Sequence, residues 1–343
     1  MEKHTTIAVD LSKTVFEIAV SDQPGRVRER KRLSRGQMVK FFANRPPATV
    51  LLEACGSAHH WARQIESLGH RVLLLPPHHT RRCVLRDKTD GADAGALLEA
   101  HRNEQIVPVP VKTLHQHTLA AIHRTRSAWM ATRTARLNAI RGTLRELGIT
   151  IPQGPRHVLP RLGAALADPL QPLPQALHPT LLCLAEEIRD LNSKIHDSER
   201  QLELLSNDLP LVQHHLTVPG IGLITATALS AFVGDFSRFP TGRRFAGFLG
   251  VVPREHSSGL HRHLGAITKR GDAYLRTLLI HGARSALLAA SRCSSPDRLQ
   301  RWALSLASRR GHNRAATGLA NKLARIAWAT AVRNCDYHPQ TPA

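Results

Sequence analysis

Two aspartates set three residues apart, Asp90 and Asp93, stand directly before an Ala/Leu-rich run at residues 94–100. If that run forms a helix, both carboxylates project from one face of its first turn. The two negative charges repel each other there, and the positive end of the helix dipole relieves part of that cost. Taken alone, the pair favours a solvated, N-capping acidic turn, so the case for a functional site depends on the rest of the chain.

Two more carboxylates follow runs that are typical of β-strands. Apolar and β-branched residues predict strands at 5–9, 14–20, 49–52 and 71–75, the basic stretch 26–35 allows another strand, and helical spacing occupies 37–42 and 55–68. Antiparallel strands followed by strands that alternate with helices indicate a mixed α/β sheet. Asp10 and Glu53 end two of these strands, at the edge where open α/β sheets place their sites.

The four acids, in the order Asp10, Glu53, Asp90 and Asp93, have one shared explanation. Four carboxylates packed together without a cation repel each other strongly. Carboxylate oxygens are ligands that Mg²⁺ prefers, and this ion keeps waters and substrate phosphate in its remaining positions. The sequence therefore predicts that these residues are catalytic and bind one or two Mg²⁺ ions.

The overall charge indicates a polyanionic partner. Lysine and arginine exceed aspartate and glutamate by 21 over 343 residues, and a hydrophobic content of 42% is enough for two or three domains with real cores. Nucleic acid is the leading candidate for the partner. We expect no membrane partner, because no basic anchor, signal peptide or bilayer-spanning run occurs.

The five cysteines form no Cys-x-x-Cys pair, so we expect reduced, mostly buried thiols in a cytoplasmic protein, without zinc or disulfides.

A long basic helix is predicted at residues 114–147. Almost no acids of this segment offset its cations before Glu146, which favours a surface that follows nucleic-acid phosphates over a solvated face on a packing helix. The candidate nucleic-acid-binding residues of this helix are Arg124, Arg126, Arg133, Arg136 and Arg141, with His123 and Arg145 beside them.

A proline-rich stretch and a second long helix follow. Residues 152–179 have many prolines and little periodicity, which is typical of a linker or an irregular connection. Beyond them, apolar residues recur in steps of three and four, with one polar exception, as in a coiled-coil seam. The seam consists of Leu181, Leu184, Ile188, Leu191, Ile195, Ser198, Leu202 and Leu205. It can close an intramolecular hairpin or join subunits, and we favour a homo-oligomer, a dimer or tetramer.

The segment Pro219-Gly-Ile-Gly222 resembles the turn of a helix-hairpin-helix module. Gly220 and Gly222 would let backbone N–H groups approach a phosphate at the start of the next helix. A tight turn with a purely structural role is the alternative. Arg243 and Arg244 follow as further candidate nucleic-acid contacts.

A polar, glycine-rich loop at residues 251–272 contains two serines, Ser257 and Ser258. Its cations are Arg254, Arg262, Lys269 and Arg270. A hydroxyl in such a setting suits nucleophilic attack on phosphorus, since arginine stabilises charge that develops on phosphoryl oxygens. Taken alone, the Ser-Ser-Gly segment favours the alternative, an ordinary turn.

Taken in order, these motifs resemble the DEDD transposases of bacterial insertion sequences. The resemblance is carried by Val9-Asp10-Leu-Ser-Lys13, Leu52-Glu53-Ala54, Lys88-Thr-Asp-Gly-Ala-Asp-Ala94, the Pro-Gly-Ile-Gly turn, the Pro-Arg and Ser-Gly pairs around Ser258, and Lys269-Arg-Gly271. It implies an N-terminal domain of the ribonuclease H fold, similar to Holliday-junction resolvases, and a mostly helical C-terminal domain.

The resemblance also implies a chemistry. Ser258 matches the family's nucleophile, which forms a covalent phosphoserine link to DNA, and a structured RNA encoded by the element pairs with donor and target DNA. This chain departs from its relatives after the Ser-Gly pair, where Leu260 and His261 replace a glycine and a lysine. We therefore expect Arg262 to be the cationic partner of the serine.

Three segments are predicted: a ribonuclease H-like domain at 1–110, a helical and coiled-coil connection at 111–208, and a C-terminal domain at 209–337. The predicted function is a recombinase that cuts and rejoins donor and target DNA with Mg²⁺ and a guide RNA. Two alternatives remain, a metal-dependent junction nuclease without serine chemistry and a non-catalytic nucleic-acid-binding scaffold.

Overall fold

The computed structural model describes residues 5–23, 26–83, 90–259 and 261–339, with the backbone alone at 90–92. The beginning of the acidic motif, residues 86–89, lies outside the described residues, as does Leu260 of the serine loop. The chain divides into two compact units, Met1–Thr113 and Leu114–Ala343. Within the described ranges, no helix combines the length and the apolar character needed to cross a membrane.

The first unit is built on a five-stranded mixed sheet. Its elements are β1 (Thr6–Asp10), β2 (Val15–Ser21), β3 (Glu29–Ser34), α1 (Arg35–Ala43), β4 (Thr49–Glu53), α2 (Ala58–Glu66), β5 (Arg71–Leu75), α3 (Pro77–Thr80) and α4 (Asp90–His101). The strand order is β3-β2-β1-β4-β5. β1 and β3 pair antiparallel with β2, whereas β1, β4 and β5 pair parallel with one another in turn. The mixed α/β sheet predicted from the sequence is confirmed.

Apolar side chains cover both faces of this sheet. Ile7 and Val50 belong to the layer that buries α1 and α2. Ala8 and Leu51, the next residues along the same strands, belong to a second layer with Leu97 of α4. Successive strand residues point to opposite faces, so the sheet is buried on both sides, which explains why its central strands are apolar almost throughout.

The second unit is helical apart from one small hairpin. Its elements are α5 (Leu114–Glu146), α6 (Val158–Ala167), α7 (His178–Ser206), α8 (Pro210–Leu216), α9 (Leu223–Val233), α10 (Gly242–Phe248), β6 (Pro253–Glu255), β7 (Leu264–Ile267), α11 (Ala273–Ser291), α12 (Arg298–Arg310) and α13 (His312–Arg333). β6 and β7 pair antiparallel. A core formed mainly by α8 to α13 is the largest apolar cluster of this unit.

The predicted coiled-coil seam lies on α7 and packs against α5 of the same chain. Leu181 and Ile188 share an apolar cluster with Leu137 and Ile140 of α5. Across the pair, polar contacts run in opposite sequence order, as an antiparallel hairpin requires. Burial within one chain agrees with the intramolecular alternative, so this seam does not need a second subunit.

The proline-rich connection between α5 and α7 contains the helix α6, which the linker interpretation did not include. Val158, Leu162 and Ala165 are buried in the same cluster as the ends of α5 and α7. Their spacing of four and three residues is helical, and Pro160 lies in the first turn, where its missing N–H costs little.

The five cysteines are free, as predicted, but Cys183, Cys293 and Cys335 are exposed, so the expectation of mostly buried thiols is wrong.

Candidate functional site

The carboxylates of Asp10 and Glu53 lie at the ends of neighbouring parallel strands. β1 and β4 pair in a register that ends with Val9 opposite Leu52, and the two acids are the next residues of their strands. Both follow the alternation of Ala8 and Leu51, so they continue the row that faces α4. The fold therefore brings these two predicted site residues to one edge and one face of the sheet.

Glu53 is held by a buried hydroxyl. The Oγ1 atom of Thr80, a residue that is 3% exposed, donates to Oε2 of Glu53 at 2.9 Å. The pKa of the nearby Cys55 thiol is raised by burial first and then by the negative charges of Glu53 and Asp10. The charges of both carboxylates thus reach the same thiol at the edge of the sheet, and Thr80 fixes the orientation of Glu53.

α4 contributes the other two acids. The helix begins at Asp90, and Asp93 is half-buried one turn before Leu97, which packs on the sheet. Where side chains are described, which excludes that of Asp90, no three His, Cys, Asp or Glu residues are close enough together to hold a metal ion. The possible metal ligands at this edge are the carboxylate oxygens of Asp10 and of Glu53, which Thr80 orients. Such oxygen ligands suit a hard divalent cation such as Mg²⁺.

The predicted serine nucleophile lies at the tip of the β6–β7 hairpin. The Ser258 N–H donates to the His261 carbonyl at 3.3 Å, and the His261 N–H donates back to the Ser258 carbonyl at 3.1 Å. Gly259 between them has φ +55°, a value that glycine adopts without strain. Ser258 is exposed, and no hydrogen bond between described residues uses its hydroxyl.

The neighbouring serine is engaged differently. The Ser257 hydroxyl donates to Oε1 of Glu255 at 2.9 Å and accepts the His263 N–H at 3.2 Å. The Arg262 guanidinium donates to the same Glu255 oxygen at 3.1 Å. These contacts lower the pKa of Glu255, first through the Ser257 hydroxyl and then through Arg262. Glu255 therefore organises the loop and offsets the charge of Arg262, the residue expected to be the cationic partner of the serine.

The base of this hairpin is held by close backbone contacts. A Cβ atom on Gly250 would lie 2.0 Å from the Arg270 carbonyl oxygen, and one on Gly271 would lie 1.9 Å from that of Phe248. Lys269 has φ +54°, uncommon for a residue with a side chain, and its N–H donates to the Gly250 carbonyl at 3.1 Å. Because no side chain fits between these segments, the predicted cations Lys269 and Arg270 have a defined backbone position. Arg254 on β6 is exposed.

The arginines of the basic helix do have partners, and these come from α7. Arg126 pairs with Glu199 at 2.6 Å, Arg136 pairs with Glu187, and Arg133 donates to Asn192 at 3.0 Å. The acids that offset Arg126 and Arg136 lie on another helix, about 50 to 70 residues away. The inference that salt bridges do not account for these two arginines is therefore wrong. These contacts help to hold α5 against α7.

Three more residues of this helix differ in role. Arg141 donates to the carbonyls of Ile151, Pro152 and Gly154 and so fixes the start of the connection. His123 is fully buried in the core. Arg124 is exposed, as the predicted phosphate contact requires.

The Pro-Gly-Ile-Gly segment joins α8 to α9 in a tight turn. Gly220 has φ +89°, and a Cβ atom there would lie 2.7 Å from the Gly282 carbonyl oxygen of α11. This close approach favours a packing role for Gly220. Gly222, by contrast, is exposed at the start of α9 with open space beside it. Arg243 and Arg244 are exposed in the first turn of α10.

Glu255 and Thr80 were not among the residues selected from the sequence. Glu255 stands two residues before Ser257, and this spacing places two strand residues on one face. The contact between them could therefore have been predicted from the sequence. Thr80 gave none, because its contact with Glu53 joins residues 27 positions apart through the tertiary fold.

Two family models match the chain. Residues 7–149 match a DEDD-type model described as "Transposase", and residues 213–302 match the model "Transposase IS116/IS110/IS902 family". Over 336 residues the chain is 42% identical to a probable family 20 transposase of Pseudomonas aeruginosa, covering 97% of this chain and 98% of that protein. It is 36% identical over 331 residues to the transposase of insertion element IS1111A of Coxiella burnetii, covering 96% and 90%. It is 37% identical over 328 residues to the transposase of element IS1328 of Yersinia enterocolitica, covering 96% and 97%.

Proposed function

The chain belongs to the IS116/IS110/IS902 family of DEDD transposases of insertion sequences, and we propose that it cuts and rejoins DNA through a covalent link to Ser258. Transposases act on DNA, so donor and target DNA are its partners. The observation that carries the serine assignment is the contrast in the hairpin loop. The Ser257 hydroxyl is bound to Glu255 and to the His263 backbone, whereas Ser258 is exposed at the tip.

In the proposed reaction the Ser258 oxygen attacks the scissile phosphorus. A bond forms between Oγ and phosphorus, the bond from phosphorus to a deoxyribose oxygen breaks, and the serine proton leaves with the released hydroxyl. The energy of the diester is kept in the phosphoserine link, so a free DNA hydroxyl can reverse the step and join a new strand. Arg254 is the cation best suited to oppose charge on the phosphoryl oxygens, because Arg262 already faces Glu255.

DEDD transposases are typically metal-dependent, and in our proposal Asp10, Glu53, Asp90 and Asp93 would hold Mg²⁺. When bound, the ion supplies Lewis-acid polarisation of a phosphate oxygen. The proposal is supported by the shared edge of Asp10 and Glu53 and by Thr80, which orients Glu53. The same arrangement supports the assignment of the first unit as ribonuclease H-like, since a mixed sheet presents acids at adjacent strand ends and a helix carries the other two.

We further propose that the chain uses a structured guide RNA and acts as a homo-oligomer. The RNA is implied by the resemblance to the family and is supported by a net charge of +21, the excess of cations that is left after every carboxylate has been counted. Exposed Arg124, Arg243, Arg244 and Gly222 are the proposed contacts to nucleic acid, the last in a helix-hairpin-helix manner. Six of the eight seam residues of α7 are buried within the chain, whereas Leu205 is exposed, so we expect subunits to associate through another surface.

Strand cleavage of labelled donor DNA tests the acidic site. Asp90→Asn and Asp93→Asn should abolish cleavage while nucleic-acid binding survives, because each removes a carboxylate from the proposed metal site. Glu99→Gln is the matched control, since it removes a carboxylate from the same helix beyond the first turn. Cleavage by Asp93→Asn at the wild-type rate, or unchanged cleavage in EDTA, would exclude these acids from the reaction.

Ribonuclease treatment of the purified protein tests the guide RNA. Site-specific recombination should be lost after treatment and should return when the RNA encoded by the element is added back. Unchanged site-specific activity in RNA-free protein would mean that the chain reads DNA bases itself.

A further inference from the structure

A cavity of about 860 Å³ lies in the second unit and is lined by cations and aromatic rings. It is formed by the start of α10, the faces of α12 and α13 and the segment after α13. Its charged and aromatic lining residues are Arg243, Arg298, Lys322, Arg325, Trp302, Trp328, Tyr337 and His338. No aspartate or glutamate is among the described residues that line it. A volume of this size accommodates a small-molecule ligand or a single nucleotide.

The aromatic walls of this cavity are fixed by the fold. The Trp328 indole N–H donates to the Phe239 carbonyl at 3.0 Å. Gly242 allows α10 to approach closely, because a Cβ atom there would lie 3.2 Å from both the Arg325 backbone and the Trp328 ring. Tyr337 is held by a hydrogen bond from its N–H to the Thr217 hydroxyl at 2.8 Å. The Trp328 ring and the backbone of Tyr337 are therefore held in place before any ligand arrives.

The cations of the cavity repel one another. The Lys322 ammonium lies 3.7 Å from the Trp302 ring centroid, and burial together with the charges of Arg325 and Arg298 lowers the pKa of this lysine. Within the described parts of the chain, neither Lys322 nor Arg325 forms an ion pair with a carboxylate. Such a like-charge cluster is stabilised by an anionic ligand.

We propose that this cavity binds one unstacked nucleotide of a nucleic-acid strand, with its phosphate on the cations and its base against the aromatic rings. Cations alone would accept any anion, but indole and phenol rings beside them match the base of a nucleotide. The proposal rests on the proposed function only in that the chain handles nucleic-acid strands, and it assigns no step of the cleavage reaction. The strand can be DNA or RNA, which share this chemistry.

Fluorescence anisotropy with labelled ten-residue strands tests the proposal on the full-length protein. The wild type should bind oligo(dT) or oligo(U) on the order of 10-fold more tightly than an abasic strand with the same number of phosphates. A tighter complex with oligo(U) identifies RNA as the source of the nucleotide, and a tighter complex with oligo(dT) identifies DNA.

Variants locate the effect in the cavity. Trp302→Leu and Tyr337→Ala should each remove most of the preference for strands with bases. Tyr337 lies after the last helix, so its replacement alters no residue of the helices. Lys322→Gln should weaken binding of both strand types and lower the slope of log affinity against log salt by about 1. Arg309→Gln removes a charge from exposed α12 surface outside the cavity, so it should keep the preference.

Equal affinity for base-containing and abasic strands would overturn the proposal. So would a preference that both ring variants retain. Neither result would bear on the covalent link to Ser258, because these measurements involve no cleavage.

Discussion

Acidification from pH 7 to pH 5 is expected to destabilise the helical unit, because two fully buried histidines are neutral in the folded state. The ring of His123 lies between Tyr274 and Thr227, with its two nitrogens 3.0 Å from their hydroxyl oxygens. The Thr227 hydroxyl donates to the Leu223 carbonyl at 2.7 Å, so it accepts from Nε2–H of the histidine, and Tyr274 donates to Nδ1. This arrangement satisfies a neutral ring, and burial followed by the charge of Arg126 lowers the pKa of His123 to about 4.

His215 is neutral for a similar reason. Its Nε2–H donates to the Ala327 carbonyl at 3.0 Å, whereas Nδ1 is buried with no hydrogen-bond partner among the described residues. A proton on Nδ1 would be a buried donor without an acceptor. Burial is the main cause that lowers the pKa of His215 to about 4, and the neighbouring His214 adds to it.

The size of the effect follows from linkage. In the unfolded chain a histidine titrates near pH 6.5, so below that pH the unfolded state binds more protons than the folded state and stability falls with falling pH. A folded pKa of about 4 makes each histidine cost about 2 kcal/mol between pH 7 and pH 5. The pair should therefore remove about 4 kcal/mol from the free energy of unfolding.

Urea unfolding followed by circular dichroism at both pH values measures this loss. The double variant His123→Gln, His215→Gln should lose about 4 kcal/mol less than the wild type on acidification, whatever its absolute stability. His196→Gln on the exposed side of α7 is the control and should behave as the wild type. An identical pH dependence in the wild type and the double variant would refute the reasoning.

Two further predictions concern packing and positioning. Gly282→Ala should destabilise the protein by about 1–3 kcal/mol or more in urea unfolding, since its Cβ atom would lie 1.9 Å from the Gly220 carbonyl oxygen. Gly163→Ala, at an exposed helical position with open space, should instead be neutral or stabilise by up to about 1 kcal/mol, and equal effects of the two changes would contradict the close contact. Thr80→Val should lower the DNA cleavage rate by roughly fivefold, because one hydrogen bond worth about 1 kcal/mol no longer orients Glu53, whereas Thr80→Ser should retain activity. Wild-type cleavage by Thr80→Val would show that this hydroxyl has no positioning role.

Local patterns predicted the sheet well. Strand β5 begins and ends where its apolar run does, and β1 and β4 end on the two acids that the run lengths selected. These strands could be predicted because both faces of the central sheet are buried, so their runs are apolar almost throughout. The acids at their ends interrupt that pattern and mark the site.

Contacts between segments that are distant in the sequence could not be predicted from local patterns. The acids that pair with Arg126 and Arg136 lie on α7, and no spacing within α5 indicates them. The short helix α6 was missed because the many prolines of the connection outweighed three apolar residues at helical spacing. The cationic cavity is formed by residues from about 241 to 338, so only the folded chain brings its rings and charges together.

The covalent link between Ser258 and DNA is the central claim, and denaturing electrophoresis of labelled donor DNA tests it most directly. The wild type should give a protein–DNA adduct that mass spectrometry assigns to Ser258. Ser258→Ala should bind DNA normally and give no adduct. Ser257→Ala is the matched control, since it removes the neighbouring hydroxyl that contacts Glu255, and it should retain at least part of the adduct. Cleavage by Ser258→Ala, or an adduct on Ser257 or a tyrosine, would contradict the account.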